Sequence, residues 1–199
     1  MVKSMVAALF RRPAFRILLG ILVAVALLSG GALLVNEELR MEVQGRVMSV
    51  LPGTVVNGCE IKRYAVCPNA DLSGANLSGV NLSGASLRNA KLDGADLSEA
   101  NLTQVDMDGA SLNGAKLTKA KVKWAWLRGV RLNQADLSGA DMYDTYLANA
   151  NLAGANLAGA SFSGANLTGA NLTGANVTGT SFVGATLTGA TMPDGSKHP

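Results

Sequence analysis

A five-residue repeat dominates the sequence. It runs without insertion through 25 consecutive units, from residue 70 to residue 194. Every fifth residue is large and apolar, and the residue two positions earlier is small, in most units Ala. Central residues near the two ends of the series are Leu72, Leu77, Leu82, Phe182, Leu187 and Met192. A fixed period of this kind constrains the fold more strongly than local propensity does.

A period of five excludes both regular secondary structures. In an α-helix, five residues turn through about 500°, so the apolar residues would be scattered round the helix, and the frequent Gly would weaken it. In a flat strand, an odd period would place successive units on opposite faces. Each unit must therefore bend, and the Ser-Gly, Thr-Gly and Asp-Gly pairs after the central residue suit a tight turn. The pattern predicts a polygonal solenoid.

The charges predict how many residues make one coil. Opposite charges that stack on neighbouring strands are stabilising, and like charges are destabilising. At a separation of 20 residues, the repeats contain seven pairs of opposite charge and none of like charge: Asp71/Lys91, Arg88/Asp108, Asp108/Arg128, Asp96/Lys116, Lys116/Asp136, Glu99/Lys119 and Lys121/Asp141. Four central residues that are not Leu share the same spacing, namely Val122, Met142, Phe162 and Phe182. We therefore expect coils of 20 residues.

The units resemble those of the pentapeptide-repeat family, as in Ala75-Asn76-Leu77-Ser78-Gly79 and Ala155-Asn156-Leu157-Ala158-Gly159. The resemblance implies an all-β solenoid, a right-handed quadrilateral β-helix with four units per coil. It also implies that the central residue and the small residue point inward. With strands about 4.8 Å apart, residues 65–194 would form about six coils, and residues 195–199 would form a tail.

A membrane anchor is expected before the repeats. Residues 17–35 carry no charge and are long enough, at about 1.5 Å per residue, to cross a bilayer as a transmembrane helix. Four basic residues precede this segment and two acidic residues follow it, which predicts a cytoplasmic segment 1–16 and extracytoplasmic repeats. In a Gram-negative bacterium the repeats would be periplasmic. A cleaved signal peptide and a buried globular helix are the alternatives.

Residues 36–64 are expected to form a stalk helix and an N-terminal cap. Residues 36–51 read as a short amphipathic helix, with Leu39, Val43 and Val47 on one face and Pro52-Gly53 after its end. Cys59 and Cys67 follow, and in an oxidising compartment they could form a disulfide that closes this end of the solenoid. Two free buried thiols are the alternative. A metal site is disfavoured because the only histidine, His198, lies at the far end.

The repeats depart from their pattern between residues 116 and 131, where six basic residues and two Trp stand without an acid. Exposed aromatic residues beside Lys are typical of a binding hot spot. The candidate protein-binding residues are Lys119, Lys121, Lys123, Trp124, Trp126, Tyr143 and Tyr146. The alternative is that these residues only stack and pair across neighbouring coils, and so stabilise the middle of the solenoid.

Catalytic machinery is not expected, because a lone terminal histidine cannot serve as the base of a nucleophilic site. Asp alternates with Asn before the central residue, which indicates a structural role for both. We expect no cofactor, no metal and no nucleic-acid partner. The sequence favours a non-catalytic, membrane-anchored scaffold that binds an unknown protein of the cell envelope, with possible self-association through the solenoid end. The alternative is a DNA-mimicking regulator of a topoisomerase such as gyrase, which the resemblance implies for some family members. The basic belt and the expected export both disfavour that alternative.

Overall fold

A computed structural model of the chain describes residues 53–199. The predicted transmembrane segment 17–35 and the predicted helix 36–51 lie outside the described residues. Within the described part of the chain, no helix is both long and apolar enough to cross a bilayer.

The described part opens with a small antiparallel hairpin. Strand β1 (Val55–Val56) pairs with strand β2 (Cys59–Glu60), with Val56 opposite Cys59. Asn57, in the hairpin turn, donates from its Nδ2 to the carbonyl oxygen of Asp71, 2.7 Å away in the first coil. Ile61 follows the hairpin and is fully buried. The hairpin therefore caps the N-terminal end of the apolar core.

An all-β solenoid follows, as predicted. Parallel bridges of one residue each join positions 20 apart, from Val66 and Ser86 to Asn171 and Thr191. Each coil therefore contains 20 residues, as the charge pattern predicts, with a bridge and a turn in every five-residue unit. We call the four faces A, B, C and D after the segments 111–113, 116–118, 121–123 and 126–128 of one coil. Residues 20 apart in the sequence share a face or a corner.

The core is a stack of inward-pointing apolar residues. The central residues from Leu72 to Leu172 are buried, as are the small residues from Val80 to Ala170, whereas Ala70 and Ala75 in the first coil are partly buried. Phe162 and Phe182 stack inside the solenoid with their ring centroids 5.5 Å apart. Burial of one such side chain stabilises the fold by about 1.5–3 kcal/mol, and the coils are also joined by backbone hydrogen bonds on every face.

The Asp and Asn residues before the central position have the structural role predicted for them. Their side-chain oxygens accept a hydrogen bond from the backbone N–H two residues later, as in Asp96 with Ser98 at 3.0 Å and Asn166 with Thr168 at 3.0 Å. This bond holds the start of the turn. The second turn residue has a positive φ, and it is Gly in most units.

Most of the predicted charge pairs are close but not in contact. Of the seven pairs expected at a separation of 20, only Arg88 with Asp108 and Asp108 with Arg128 lie within 4.0 Å as ion pairs in residues 53–199. Long side chains reach diagonally instead, to a residue 18 positions away. Lys123, rather than Lys121, therefore pairs with Asp141, at 2.9 Å.

Residues 195–199 fold back over the last coil. Thr191 and Lys197 form an antiparallel bridge, and the backbone N–H of His198 donates to the carbonyl oxygen of Ala190 at 2.8 Å. The tail thus pairs with the end of face A and adds one short strand to it.

Candidate protein-binding site

Four aromatic side chains form two pairs at and on either side of the corner between faces C and D. Trp124 and Tyr143 contact edge to face, with ring centroids 6.3 Å apart and planes at 90°. Trp126 and Tyr146, one coil apart on face D, lie with centroids 6.4 Å apart and planes within 6° of parallel. We call these four residues the aromatic patch. All four are exposed, Trp124 to 45%.

The backbone of Trp124 is unusual for an aromatic residue. Trp124 is the second residue of its turn and has a φ of +55°, where most equivalent turns have Gly. A bulky residue rarely adopts this conformation, because its Cβ crowds the backbone. The other non-glycine residues at such turns are mostly polar: Asn69, Asn89, Glu99, Gln104, Lys119, Gln134, Asp144 and Asn149.

Trp126 and Tyr146 stand where other units have an Asp or Asn side chain that stabilises the turn. They occupy the bridge position of face D, where Asp106 and Asn166 hold their turns by accepting a backbone N–H. An aromatic side chain cannot accept that bond. The units of Trp126 and Tyr146 therefore lack the side-chain hydrogen bond that stabilises the turn in the units of Asp106 and Asn166.

The predicted lysines surround the patch on face C. Lys123 is paired with Asp141. Lys121 lies at the bridge position beside Asp141, and Lys119 lies at the corner between faces B and C. Neither Lys119 nor Lys121 has an ion-pair partner among residues 53–199. The seven candidate residues thus lie on one coil and the next, on face C and its two corners and on face D.

A network of charges borders the patch on face D. The Arg128 guanidinium donates to Asp108 from Nε at 2.9 Å and from Nη2 at 2.6 Å, and the Arg128 backbone N–H donates at 2.8 Å. Burial alone would raise the pKa of Asp108, but the hydrogen bonds and charge of Arg128 outweigh it, and the pKa is lowered. The same contact raises the pKa of Arg128. The charged groups of Asp108 and Arg128 thus hold each other in place and stabilise the fold.

Three further exposed residues were missed by the sequence reasoning. Tyr64 and Val66 lie 60 residues before Trp124 and Trp126, and Val183 lies 40 residues after Tyr143. All three therefore lie on the same two faces as the patch. The 20-residue period could have found them if it had been applied to every outward apolar residue, including those before residue 70.

Cys59 and Cys67 form a disulfide that joins strand β2 to the first coil. Cys59 is buried beside Ile61. In residues 53–199, no three His, Cys, Asp or Glu side chains come together as a metal site.

Comparisons with known proteins agree with the fold. The family model described as Pentapeptide repeats (8 copies) matches residues 65–104, 95–134, 135–174 and 165–194. Among solved structures, QnrB1, a plasmid-mediated fluoroquinolone resistance protein, is 27% identical with a TM-score of 0.52, and the match covers 63% of this chain and 61% of QnrB1. The chain thus spans less than two thirds of that relative.

Two proteins from the cyanobacterium Nostoc sp. PCC 7120 also match. HetL, a pentapeptide repeat protein involved in heterocyst differentiation regulation, is 34% identical over 69% of this chain and 76% of HetL, with a TM-score of 0.20. The pentapeptide repeat protein alr5209 is 34% identical over 48% of this chain and 83% of its own, with a TM-score of 0.41. Curated protein sequences give no match. Because the family model covers more than half of the sequence, the chain belongs to the pentapeptide repeat family.

Proposed function

We propose that this protein is a non-catalytic scaffold that binds a partner protein of the cell envelope through the aromatic patch. The observation that carries the proposal is the exposed Trp124 at a φ of +55°. Strained backbone conformations that the fold does not need are concentrated at functional sites. At this turn Gly would satisfy the backbone without strain.

The surroundings of Trp124 support the same conclusion. Trp and Tyr are enriched at binding hot spots, where they fill pockets of the partner. The cations of Lys119 and Lys121 have no ion-pair partner in the described residues and remain available to acidic groups of that partner. The partner's contact surface would therefore combine an apolar pocket with carboxylates.

Placement outside the cytoplasm is part of the proposal. The uncharged segment 17–35 would anchor the chain in the bilayer, with residues 1–16 in the cytoplasm. The disulfide between Cys59 and Cys67 is of the kind that persists in oxidising compartments. A reporter that is active only outside the cytoplasm, fused after Pro199, should be active. An active cytoplasmic reporter at the same position would contradict this placement.

Crosslinking in intact cells, followed by capture of the full chain, tests the binding site. The test variant combines Trp124→Gly with Trp126→Asn, which restores the residues typical of the repeat at both positions. The control is Gln134→Gly, at a turn with a φ of +57° on the diagonally opposite corner. We expect the control to retain the crosslinked partner and the double variant to lose it. Equal recovery by all three proteins would refute the patch.

A second candidate function, regulation of a topoisomerase, rests on the likeness to QnrB1. A DNA mimic requires a strongly negative surface, but the repeats carry eight basic and ten acidic residues, and six of the basic ones form the belt between 116 and 131. Expression of the chain in sensitive cells separates the two functions. Reduced fluoroquinolone susceptibility would favour the second candidate, and unchanged susceptibility the first.

Self-association through the solenoid end is the remaining part of the proposal. The tail pairs with face A and with Gly189 at the corner between faces D and A, and the backbone N–H groups of Phe182, Gly184 and Leu187 have no partner within residues 53–199. Such an edge is a template for another strand. Light scattering of the purified protein should give twice the monomer mass, and replacement of Leu187 by Pro, which removes one of these N–H groups, should reduce it. A monomeric mass at all concentrations would contradict this part.

A further inference from the structure

The large exposed apolar side chains of the described coils are confined to one side of the solenoid. The large exposed apolar residues of the coils all lie on face C, on face D or at the corner between them: Tyr64, Val66, Trp124, Trp126, Tyr143, Tyr146 and Val183. We call this set the apolar edge. With coils about 4.8 Å apart, it extends over about 28 Å from Val66 to Val183. The aromatic patch is only its middle part.

Faces A and B of the described coils are occupied differently. They carry no large exposed apolar residue. Instead, side-chain amides bond from coil to coil, as in Asn133 to Asn113 at 2.7 Å on face A and Asn176 to Asn156 at 3.0 Å on face B. These bonds engage side-chain amides of the two faces within the chain. Faces C and D lack such amide ladders in residues 53–199.

The backbone gives a second, independent sign of the same asymmetry. Tyr64 and Trp124 are the two aromatic residues with a positive φ in residues 53–199, at +56° and +55°. Both occupy the corner between faces C and D, three coils or about 14 Å apart. The Tyr64 ring lies over Gly84, where an added Cβ would come within 2.5 Å of it. The strained aromatic conformation therefore recurs along one corner.

We propose that the partner is an elongated protein segment that lies parallel to the solenoid axis and contacts the apolar edge along its length. This inference rests on the proposed function and specifies the shape and chemistry of the partner. The segment would place apolar groups at Tyr64 and Val66, at the aromatic patch, and at Val183. Between these anchors it would pair with charges of both signs that have no ion-pair partner among residues 53–199, such as Lys121 and Asp144.

The charges along the edge favour a protein over a lipid surface. Asp106 and Asp108 lie on face D, Asp141 lies on face C and Asp144 lies at the corner between them, all among the apolar anchors. The same faces carry Arg88, Lys121, Lys123 and Arg128, and three of the four carboxylates are ion-paired with these bases, so the edge presents both signs of charge close together. The hydrocarbon region of a bilayer would strip such charges of water. A protein segment can offer a partner to each sign of charge.

Site-specific photocrosslinking in cells, with a benzophenone amino acid in the full chain, tests the proposal. The probe is placed at four levels of the apolar edge, at Ser86, Thr103, Ser163 and Thr186. Control positions lie on the other two faces, at Ser98, Ala153 and Thr173. We expect one and the same protein adduct from all four edge positions and none from the controls.

Substitution of the distal anchors provides a quantitative readout. Val66→Ser combined with Val183→Ser should lower the adduct yield at Thr103 by about tenfold, because two buried apolar contacts are lost. The control Val55→Ser removes a residue that is also exposed, to 51%, but lies in the hairpin outside the edge. It should leave the yield unchanged.

The possible outcomes separate this inference from the proposed function. Adducts confined to Thr103 and Ser163, beside the aromatic patch, would overturn the elongated partner and leave the patch intact. No adduct at any position would overturn both. An adduct of twice the chain's mass would show a second copy on the edge, and binding of the protein to anionic phospholipid vesicles through these residues would show a lipid surface. Either result would overturn the inference.

Discussion

Asp108 on one coil accepts three hydrogen bonds from Arg128 on the next, at 2.6, 2.8 and 2.9 Å. Asp108 is only 8% exposed, and Arg88 lies on its other side, 3.7 Å away. The two arginines and the carboxylate thus form a ladder across three coils beside the aromatic patch. This ladder stabilises the fold, whereas we propose that the aromatic patch binds a partner.

Replacement of Asp108 by Ala should destabilise the protein by about 2 kcal/mol, because charge-assisted bonds to a shielded group are lost and Arg128 loses its partner. Asp96→Asn is the matched control. Asn occupies the same position in other units and can accept the same turn bond, so the control should change stability by less than about 0.5 kcal/mol. Urea unfolding measures both. Equal effects of the two substitutions would contradict the ladder.

Stability should fall in acid. The pKa values of Asp108 and Asp136 are lowered: burial opposes the charged form, but hydrogen bonds from Arg128 and from Ser138, Thr118 and Asn156 outweigh it. A carboxyl with a lowered folded pKa stabilises fully above its ordinary value, about 3.9, and loses this contribution as the pH falls through the folded value. The urea concentration at the midpoint of unfolding should therefore be constant from pH 7 to pH 5 and should decrease below pH 4. The decrease should be smaller in Asp136→Asn, and a midpoint that rises in acid would contradict the assignment.

Reduction of the disulfide should loosen the N-terminal cap and leave the middle of the solenoid unchanged. Cys59 and Cys67 are eight residues apart, and closure of so short a loop contributes about 2–3 kcal/mol. In a solenoid each coil contacts mainly its neighbours, so the effect should stay local. Hydrogen exchange should accelerate in residues 53–64 of the reduced protein, but not in 105–174. The double variant Cys59→Ala/Cys67→Ala should show the same local acceleration as the reduced protein. Uniform acceleration of hydrogen exchange along the chain would argue against a local cap.

Gly84 and Gly94 form a matched pair for the contact with Tyr64. Both have a positive φ, at +68° and +67°, so Ala at either position should cost about 1 kcal/mol. An added Cβ meets the Tyr64 ring at Gly84 and nothing within 4 Å at Gly94. Only Gly84→Ala should therefore shift the Tyr64 ring signals in an NMR spectrum. A shift in both variants, or in neither, would contradict the described contact.

The sequence predicted the parts of the structure that depend on its period. An odd period requires a turn in each unit, and the charges at a separation of 20 matched the observed bridges, such as Asp71 with Lys91. The actual ion pairs were less predictable, because an extended side chain such as Lys123 reaches diagonally to Asp141. The fold-back of Lys197 onto Thr191 was not predicted, since it follows the last repeat. The extent of the apolar edge was missed because Tyr64 and Val66 precede the repeats as the sequence defines them.

The site was predicted only at its centre, for a physical reason. Trp124 and Trp126 are conspicuous because they break the pattern of their own units, and this signal is local. Val183 belongs to the same surface because it lies on face C, and its place on that face can be assigned only when the coil geometry is known. The positive φ of Trp124 depends on the turn position that the solenoid gives this residue, and it is seen in the structure.

The central claim is that the aromatic patch serves binding and not folding, and the stability of Trp124→Gly with Trp126→Asn tests it most directly. Loss of the two ring contacts should cost about 0.5–1.5 kcal/mol each. Relief of the positive φ and the restored turn bond should offset most of this loss. Urea unfolding should therefore give a free energy within about 1 kcal/mol of the wild type. A decrease of more than about 3 kcal/mol would show that the patch holds the coils together, and would contradict the account.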